Sequence, residues 1–290
     1  MYGELAAFYD AYTGDMDREK LADFLCVIFK EHGPEGLAQA AGYFLENGRR
    51  ARRKASSDGS DVKKSTLVID VGCGTGELTF EMAARGFDMT GLDISPEMLG
   101  IAASKRRGRK GPDILWLCQD MCEMDTYGSY AAMYCLEDGV NHITREGGLG
   151  MFLERAYNFI DPEGLLVFDF LTDRYFREVA AEGFFFEDGE NGTCLWTADY
   201  EDRLMRYDIV CYSAGKNGLY SRTDDTVEER AYTTAEVRNT LKKCGFSVIG
   251  IIPAEETGTG GTNGRFFAVA RRNSGKTPEK RRKNTGKAGK

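Results

Sequence analysis

The residues whose types and spacing could do chemistry stand in three short groups, each on the carboxyl side of an apolar run. The first is Val68-Ile69-Asp70-Val71-Gly72-Cys73-Gly74-Thr75-Gly76, a glycine-rich turn that lets main chain approach a ligand closely. Its spacing is G-x-G-x-G with Glu77 next, so it is not the G-x-G-x-x-G fingerprint that cradles a dinucleotide pyrophosphate. Asp70, just ahead of the glycines, suits a ligand bearing an ammonium and a carboxylate better than one bearing phosphates. The second group is Asp93-Ile94, 17 residues after Gly76, where a carboxylate can accept from two ribose hydroxyls. The third is Gln119-Asp120-Met121, in which Asp120 can accept from an exocyclic amine while Ile94 and Met121 sandwich an adenine. Each acid alone could equally be a helix N-cap. Three acids ending three consecutive apolar runs make that coincidence hard to sustain.

Such residues must be held by strands that end together. Thr66–Val71 is short and β-branched, as a buried strand requires. A helical stretch to Arg85 follows, closed by Gly86, and then comes a second strand, Asp88–Asp93. Ser95 as N-cap and Pro96 in the first turn open another helix. The third and fourth strands are Ile114–Cys118 and Tyr130–Leu136. Leu149, Phe152, Leu153, Ala156, Tyr157 and Ile160 form one helix face, which the turn Asp161-Pro162-Glu163-Gly164 is expected to end before a fifth strand, Leu165–Leu171. Strands alternating with helices predict a doubly wound parallel α/β sheet.

Residues 183–231 interrupt that rhythm. Alternation over Thr193–Tyr200, Arg203–Ser213 and Leu219–Arg230 predicts an inserted antiparallel β lid. Thr233 with Glu236 reads as a capping box opening a helix that stops at Gly245. Strands Phe246–Ile252 and Phe266–Arg271 finish the domain. The expected organisation is a helical cap at 1–47, a basic linker at 48–64, an α/β domain at 65–272 and a basic tail at 273–290.

The 290 residues carry a net charge of −8, which conceals segregation. Residues 274–290 hold +6, 49–64 hold +5 and 105–110 hold +5, leaving −24 for the remainder. A body so acidic repels a phosphate backbone, so nucleic acid is disfavoured except through the basic linker and tail. No apolar run is long enough to cross a membrane, and the acidic first residues lack the basic start of a secretory leader, which points to the cytoplasm. Eight cysteines without C-x-x-C spacing and only two histidines suggest reduced thiols, no disulfide framework and no metal site.

DVGCGTGELT, TGLDISPEML and QDM together resemble the successive cofactor motifs of the class I S-adenosylmethionine-dependent methyltransferases, over about residues 65–272. The resemblance implies a Rossmann-like seven-stranded sheet whose last strand is antiparallel. It implies S-adenosylmethionine as cofactor and S-adenosylhomocysteine as product. Asp70 and the Gly72, Gly74 and Gly76 loop, with Cys73 inside it, would hold the methionine part, Asp93 the ribose, and Asp120 with Ile94 and Met121 the adenine. Leu136 falls on the same wall, and Tyr9, from an N-terminal helix, would close over the cofactor.

A narrower similarity, carried by Tyr9-Asp10-x-Tyr12, by Cys135 to Asn141, by the strand Phe168-Asp169-Phe170 and by Arg230-Ala231-Tyr232, is to a bacterial branch of small-molecule methyltransferases. His142 stands where that branch more usually has an aromatic. By this resemblance the acceptor is a small molecule taking methyl on oxygen or nitrogen. Asp138, Asn141 and His142 sit on its rim; His142 is either a general base or the holder of a loop carbonyl. Trp196, Arg230 and Tyr232 are further candidates for the acceptor pocket. Cys135-Leu136-Glu137-Asp138 replaces the NPPY-type tetrapeptide of amide methylases, which argues against a planar amide acceptor. Three other functions share the cofactor motifs: methylation of a tRNA nucleoside, aminopropyl transfer, and cofactor binding without catalysis.

Overall fold

The computed structural model describes residues 17–48, 66–106, 113–189, 192–215 and 218–275. The basic linker, the end of the tail and Tyr9 lie outside the described residues. What it describes of the N-terminal cap is two helices, α1 (Arg18–His32) and α2 (Glu35–Asn47). Asp17 caps α1, its Oδ1 accepting from the amides of Glu19 and Lys20. Leu21, Leu25, Ile28 and Phe29 form the buried face of α1, with Phe24 half-buried beside them.

The central sheet is built from β1 (Leu67–Val71), β2 (Asp88–Asp93), β3 (Leu115–Cys118), β4 (Tyr130–Cys135), β5 (Ile160–Leu171), β10 (Phe246–Pro253) and β11 (Arg265–Arg272). Its order is β10-β11-β5-β4-β1-β2-β3. The pairs β1–β2, β2–β3, β1–β4 and β4–β5 are parallel, while β11 runs antiparallel to both its neighbours. Helices α3 (Glu77–Ala84), α4 (Pro96–Arg106), α5 (Gly148–Phe159) and α7 (Thr234–Lys243) alternate with these strands. One core cluster packs α5 and α7 on the sheet, and a second packs α1, α2 and α3, as the doubly wound plan requires. Strand order reverses between β1 and β4, and in an open α/β sheet that is where ligands bind, outside the carboxyl ends.

Arg85 ties the cap to this body. Its guanidinium, almost wholly buried, donates to Asp23 of α1 at 2.7 Å, to Glu81 at 2.6 Å and to the Glu19 carbonyl at 3.1 Å, with the Phe44 ring beneath it.

The insertion forms a separate four-stranded antiparallel sheet in the order β6 (Phe184–Gly189), β7 (Gly192–Glu201), β8 (Leu204–Ala214), β9 (Tyr220–Arg230). It rests on the core through Ala198 and Met205, which pack with Leu171 and with Phe176 of α6 (Asp173–Glu182).

Four expectations need correction. Asp161-Pro162-Glu163-Gly164 does not separate helix from strand; it lies inside β5 as a bulge, with Tyr130 opposite Ile160, Ala132 opposite Leu165, and Glu163 at φ +64°. Helix α6 and strand β6 were not expected: Tyr175, Phe176, Val179 and Ala180 do form one face of α6, but over only ten residues, and Phe184-Phe185-Phe186 shows no alternation. The capping box is half made: Thr233 accepts from the Glu236 amide at 3.1 Å, but the Glu236 carboxylate turns to Arg203 and Arg230. Finally, Cys194 and Cys211 are joined as a disulfide rather than being free thiols. They are 17 residues apart but directly opposite on β7 and β8, a register that C-x-x-C counting cannot detect.

Candidate active site

A cavity of about 270 Å³ opens at the strand-order reversal. Its walls contain Gly72 and Gly74 from the β1–α3 turn, Asp93 and Ile94 from the end of β2, and Asp120 and Met121 after β3. Three sequence groups separated by up to 49 residues are thus brought to one rim by parallel pairing of β1, β2 and β3. Leu92, Met98, Gln119 and Cys122 complete that wall, and Glu137, Gly139, His142, Ile143, Thr144 and Arg145 form the other side.

Asp93 is the organising residue. Its Oδ2 accepts from the Gly74 amide at 2.8 Å and its Oδ1 from the Ser95 amide at 2.8 Å. The carboxylate therefore ties the glycine turn to the end of β2 while its remaining lone pairs face the cavity. Burial raises its pKa, and the two amides oppose the shift. Asp120 makes an Asx-turn, accepting from the Cys122 amide at 2.7 Å, and lies 3.5 Å from Arg145. Ile94, 58% exposed, offers an apolar surface at the cavity mouth.

The third glycine has a packing role. Gly76 sits at φ +81°, and a Cβ there would lie 2.6 Å from the Trp116 ring of β3. This explains G-x-G-x-G without a pyrophosphate: the last glycine seats α3 against the sheet.

Asp70, Cys73, Gly76 and Leu136 do not line the cavity. Asp70 is buried behind the turn, accepting from the Thr79 hydroxyl at 2.5 Å. Burial pushes its carboxyl up to about 7, against the opposing Thr79 and Tyr134 hydroxyls. A carboxyl raised from about 3.9 holds its proton longer in the folded chain, so its contribution to stability is full below about pH 4 and lost as pH rises towards 7. We expect Asp70→Asn to flatten the fall in urea-unfolding free energy between about pH 4 and 7. An unaltered slope would show that Asp70 does not titrate in that window.

On the acceptor side, Asp138 (φ +56°) and His142 bound the 3-10 turn Gly139–His142. The Asp138 amide donates to both oxygens of buried Asp169, at 3.1 and 3.2 Å. Arg265 of β11 donates to Asp169 and, at 3.0 Å, to Asp138. Burial and Asp138 hold the Asp169 carboxyl near 6, with Arg265 opposing. His142 lies 4.0 Å from Glu229 of the lid, and burial lowers its pKa, so the imidazole is neutral at pH 7. Glu137, at φ +59°, pairs with Arg18 of α1 at 3.0 Å and lines the same cavity.

The other acceptor candidates are placed differently. Asn141 is wholly buried: its amide donates to the carbonyls of Leu171 and Arg230, and its oxygen accepts from the Leu171 amide. Arg230 pairs with Glu236 at 3.2 Å, Tyr232 donates to the Ile143 carbonyl at 2.7 Å, and Trp196 stacks on Phe185. None of the four lines the cavity. Asp169 entered the sequence reading only within the Phe168-Asp169-Phe170 strand of the family similarity, without a role, and Glu229 and Arg265 were not singled out. They reach Asp138 only through the antiparallel β11–β5 pairing and the return of β9, and no local signal marks Glu229 or Arg265.

The residues present fit S-adenosylmethionine. Two side-chain-free positions at φ +73° and +52° expose main chain, the Asp93 carboxylate stands at the end of β2 to accept from hydroxyls, and Ile94, Met98 and Met121 offer apolar surface for a purine.

Comparison with known proteins agrees. Residues 68–164 match a methyltransferase domain family. The chain is 30% identical over 183 residues to the putative methyltransferase YqeM of Bacillus subtilis, spanning 62% of this chain and 73% of that protein. It is 23% identical to a dTDP-3-amino-3,6-dideoxy-alpha-D-glucopyranose N,N-dimethyltransferase of Streptomyces fradiae, over 64% of this chain and 71% of the relative. Its fold matches a crystal structure of a S-adenosylmethionine-dependent methyltransferase from Clostridium acetobutylicum with a TM-score of 0.69 at 20% identity, over 94% of this chain and 99% of that one. With cavity, sheet order and relatives in agreement, the chain belongs to the class I S-adenosylmethionine-dependent methyltransferases.

Proposed function

We propose that this enzyme transfers the methyl group to an amine nitrogen of a small molecule that enters between the lid and the turn after β4. The observation that carries this reading is the polar corner adjoining the cofactor wall. Asp138, His142 and Glu229 stand together there, and the corner is acidic, which suits a neutral or cationic nitrogen and repels a phosphodiester. The Streptomyces fradiae relative, by its name an N,N-dimethyltransferase of an amino sugar, supports the choice of nitrogen over oxygen.

The cofactor supplies an electrophilic methyl group on a sulfonium. The protein supplies orientation and dryness. Gly72, Gly74, Asp93, Ile94, Asp120 and Met121 fix one reactant, and the corner fixes the other; such alignment is worth on the order of 7–11 kcal/mol in favourable cases. The lid covers the acceptor and excludes water. An amine needs no strong base, because it attacks through its lone pair once unprotonated.

Radiolabelled S-adenosylmethionine presented with a panel of amino sugars, small amino acids, matched hydroxy compounds and bulk tRNA tests the reading. We expect label in an amine and none in the hydroxy analogue or in tRNA. Label confined to tRNA would assign the basic segments 48–64 and 274–290 a substrate-binding role and overturn it.

A further inference from the structure

The polar corner gathers more carboxyl groups than the protein pairs. Asp138, Asp169 and Glu229 meet there, the guanidinium inserted among them is Arg265, 4% exposed, and burial pushes the Glu229 carboxyl well above the usual carboxylate range. Arg265 spends its terminal nitrogens on Asp169 and Asp138. Nearby Glu137 is answered by Arg18 and changes nothing in this count.

Glu229 is the least satisfied member. It is 6% exposed, and its Oε2 has no hydrogen-bond partner, whereas its Oε1 lies 4.0 Å from His142 Nε2. A buried carboxylate oxygen without a donor is costly, and a bound cation is the usual remedy. One ligand atom each from Asp138, His142 and Glu229 falls within 4.8 Å of the others. One imidazole nitrogen with two carboxylate oxygens is a donor set that first-row divalent ions accept.

We propose that Asp138, His142 and Glu229 bind one divalent cation, which fastens the end of lid strand β9 to the turn after β4. Metal–ligand bonds of about 2.0–2.2 Å in a tetrahedral arrangement place neighbouring ligand atoms about 3.4 Å apart, so the three groups need to close by up to about 1.5 Å. Asp138 presents one oxygen to Arg265 and keeps the other for the cation. Three protein ligands leave coordination positions open, as in catalytic rather than structural sites. Those positions face the acceptor side, where they would take an oxygen neighbouring the acceptor amine; that consequence rests on the nitrogen reading above, and the cation site itself does not. Sequence spacing cannot reveal this set, since Glu229 lies 87 residues beyond His142 and arrives only through the lid.

The test is a Mn²⁺ titration of the full chain after chelator treatment, followed by the loss of the free-ion electron paramagnetic resonance signal. Mn²⁺ is chosen because thiols bind it poorly, so the free cysteines do not compete. We expect one Mn²⁺ per chain, weakened at least about tenfold by Glu229→Gln and by His142→Gln, and unaffected by Asp224→Asn, an exposed lid acid paired with Arg222. Glu229→Gln keeps the shape of the side chain, and an unchanged circular-dichroism spectrum and thermal midpoint in each variant establish that the fold is intact. Absence of stoichiometric binding, or binding that Glu229→Gln leaves untouched, overturns the proposal. A Mn²⁺ site in an enzyme that methylates only hydroxyl groups would overturn the nitrogen reading and leave the cation site standing.

Discussion

Asp93→Ala is expected to weaken cofactor binding by about 2–4 kcal/mol, roughly 30- to 1,000-fold in Kd. The size of the effect follows from two tasks resting on one carboxylate. Its oxygens accept from the amides of Gly74 and Ser95, each at 2.8 Å, and so hold the glycine turn against the end of β2. We propose that its other lone pairs, on the cavity side, accept from the ribose hydroxyls. Removing it releases the turn and deletes the charge-assisted acceptor together. Asp93→Asn should be nearly as damaging. Both oxygens accept from main-chain amides, so an amide side chain must point an N–H donor at another donor on one side. Isothermal titration with S-adenosylhomocysteine measures the loss, with circular dichroism verifying the fold. Unchanged affinity in a folded variant would remove Asp93 from the cofactor site.

Replacing residues 184–229 by a short Gly/Ser linker is expected to separate binding from transfer. None of the cavity-lining residues belongs to the lid. Cofactor affinity should therefore stay within about tenfold, about 1.4 kcal/mol. Transfer should fall at least about 1,000-fold, because the acceptor loses its cover and Glu229, and water enters. Excision uncovers Leu171 and Phe176, on which Ala198 and Met205 now pack, so solubility must be monitored. Hydrogen exchange on the intact chain gives the same information without surgery: S-adenosylhomocysteine should protect residues 72–76 far more than 184–229. Loss of cofactor affinity in a folded excision variant, or equal protection of both segments, would place the lid in the cofactor site.

The cavity wall of the glycine turn, Asp93 and Asp120 was legible in the sequence because each of its parts is local. A strand, a turn and an acid recur within a few residues, and parallel pairing of β1, β2 and β3 carries Gly74, Asp93 and Asp120 to one edge without further information. Asp70 shows where that logic stops: it precedes the glycines in sequence, yet alternation along β1 points it away from the cavity, towards Thr79 and Tyr134. The acceptor half is assembled from distant segments. Asp138 is positioned by Asp169 and Arg265, 31 and 127 residues away, and faces a glutamate from the lid. Asn141 looked like a pocket residue because it is polar and follows β4, but its amide fastens Leu171 to Arg230. The Cys194–Cys211 pair was invisible for the same reason, being a matter of register between β7 and β8.

A crystal structure of the full chain with S-adenosylhomocysteine tests the central claim most directly. The account predicts adenine between Ile94 and Met121, ribose hydroxyls on Asp93, main chain of Gly72 and Gly74 against the methionine part, and the sulfur directed towards Asp138, His142 and Glu229. A cofactor bound elsewhere, or one whose sulfur faces away from that corner, would contradict it.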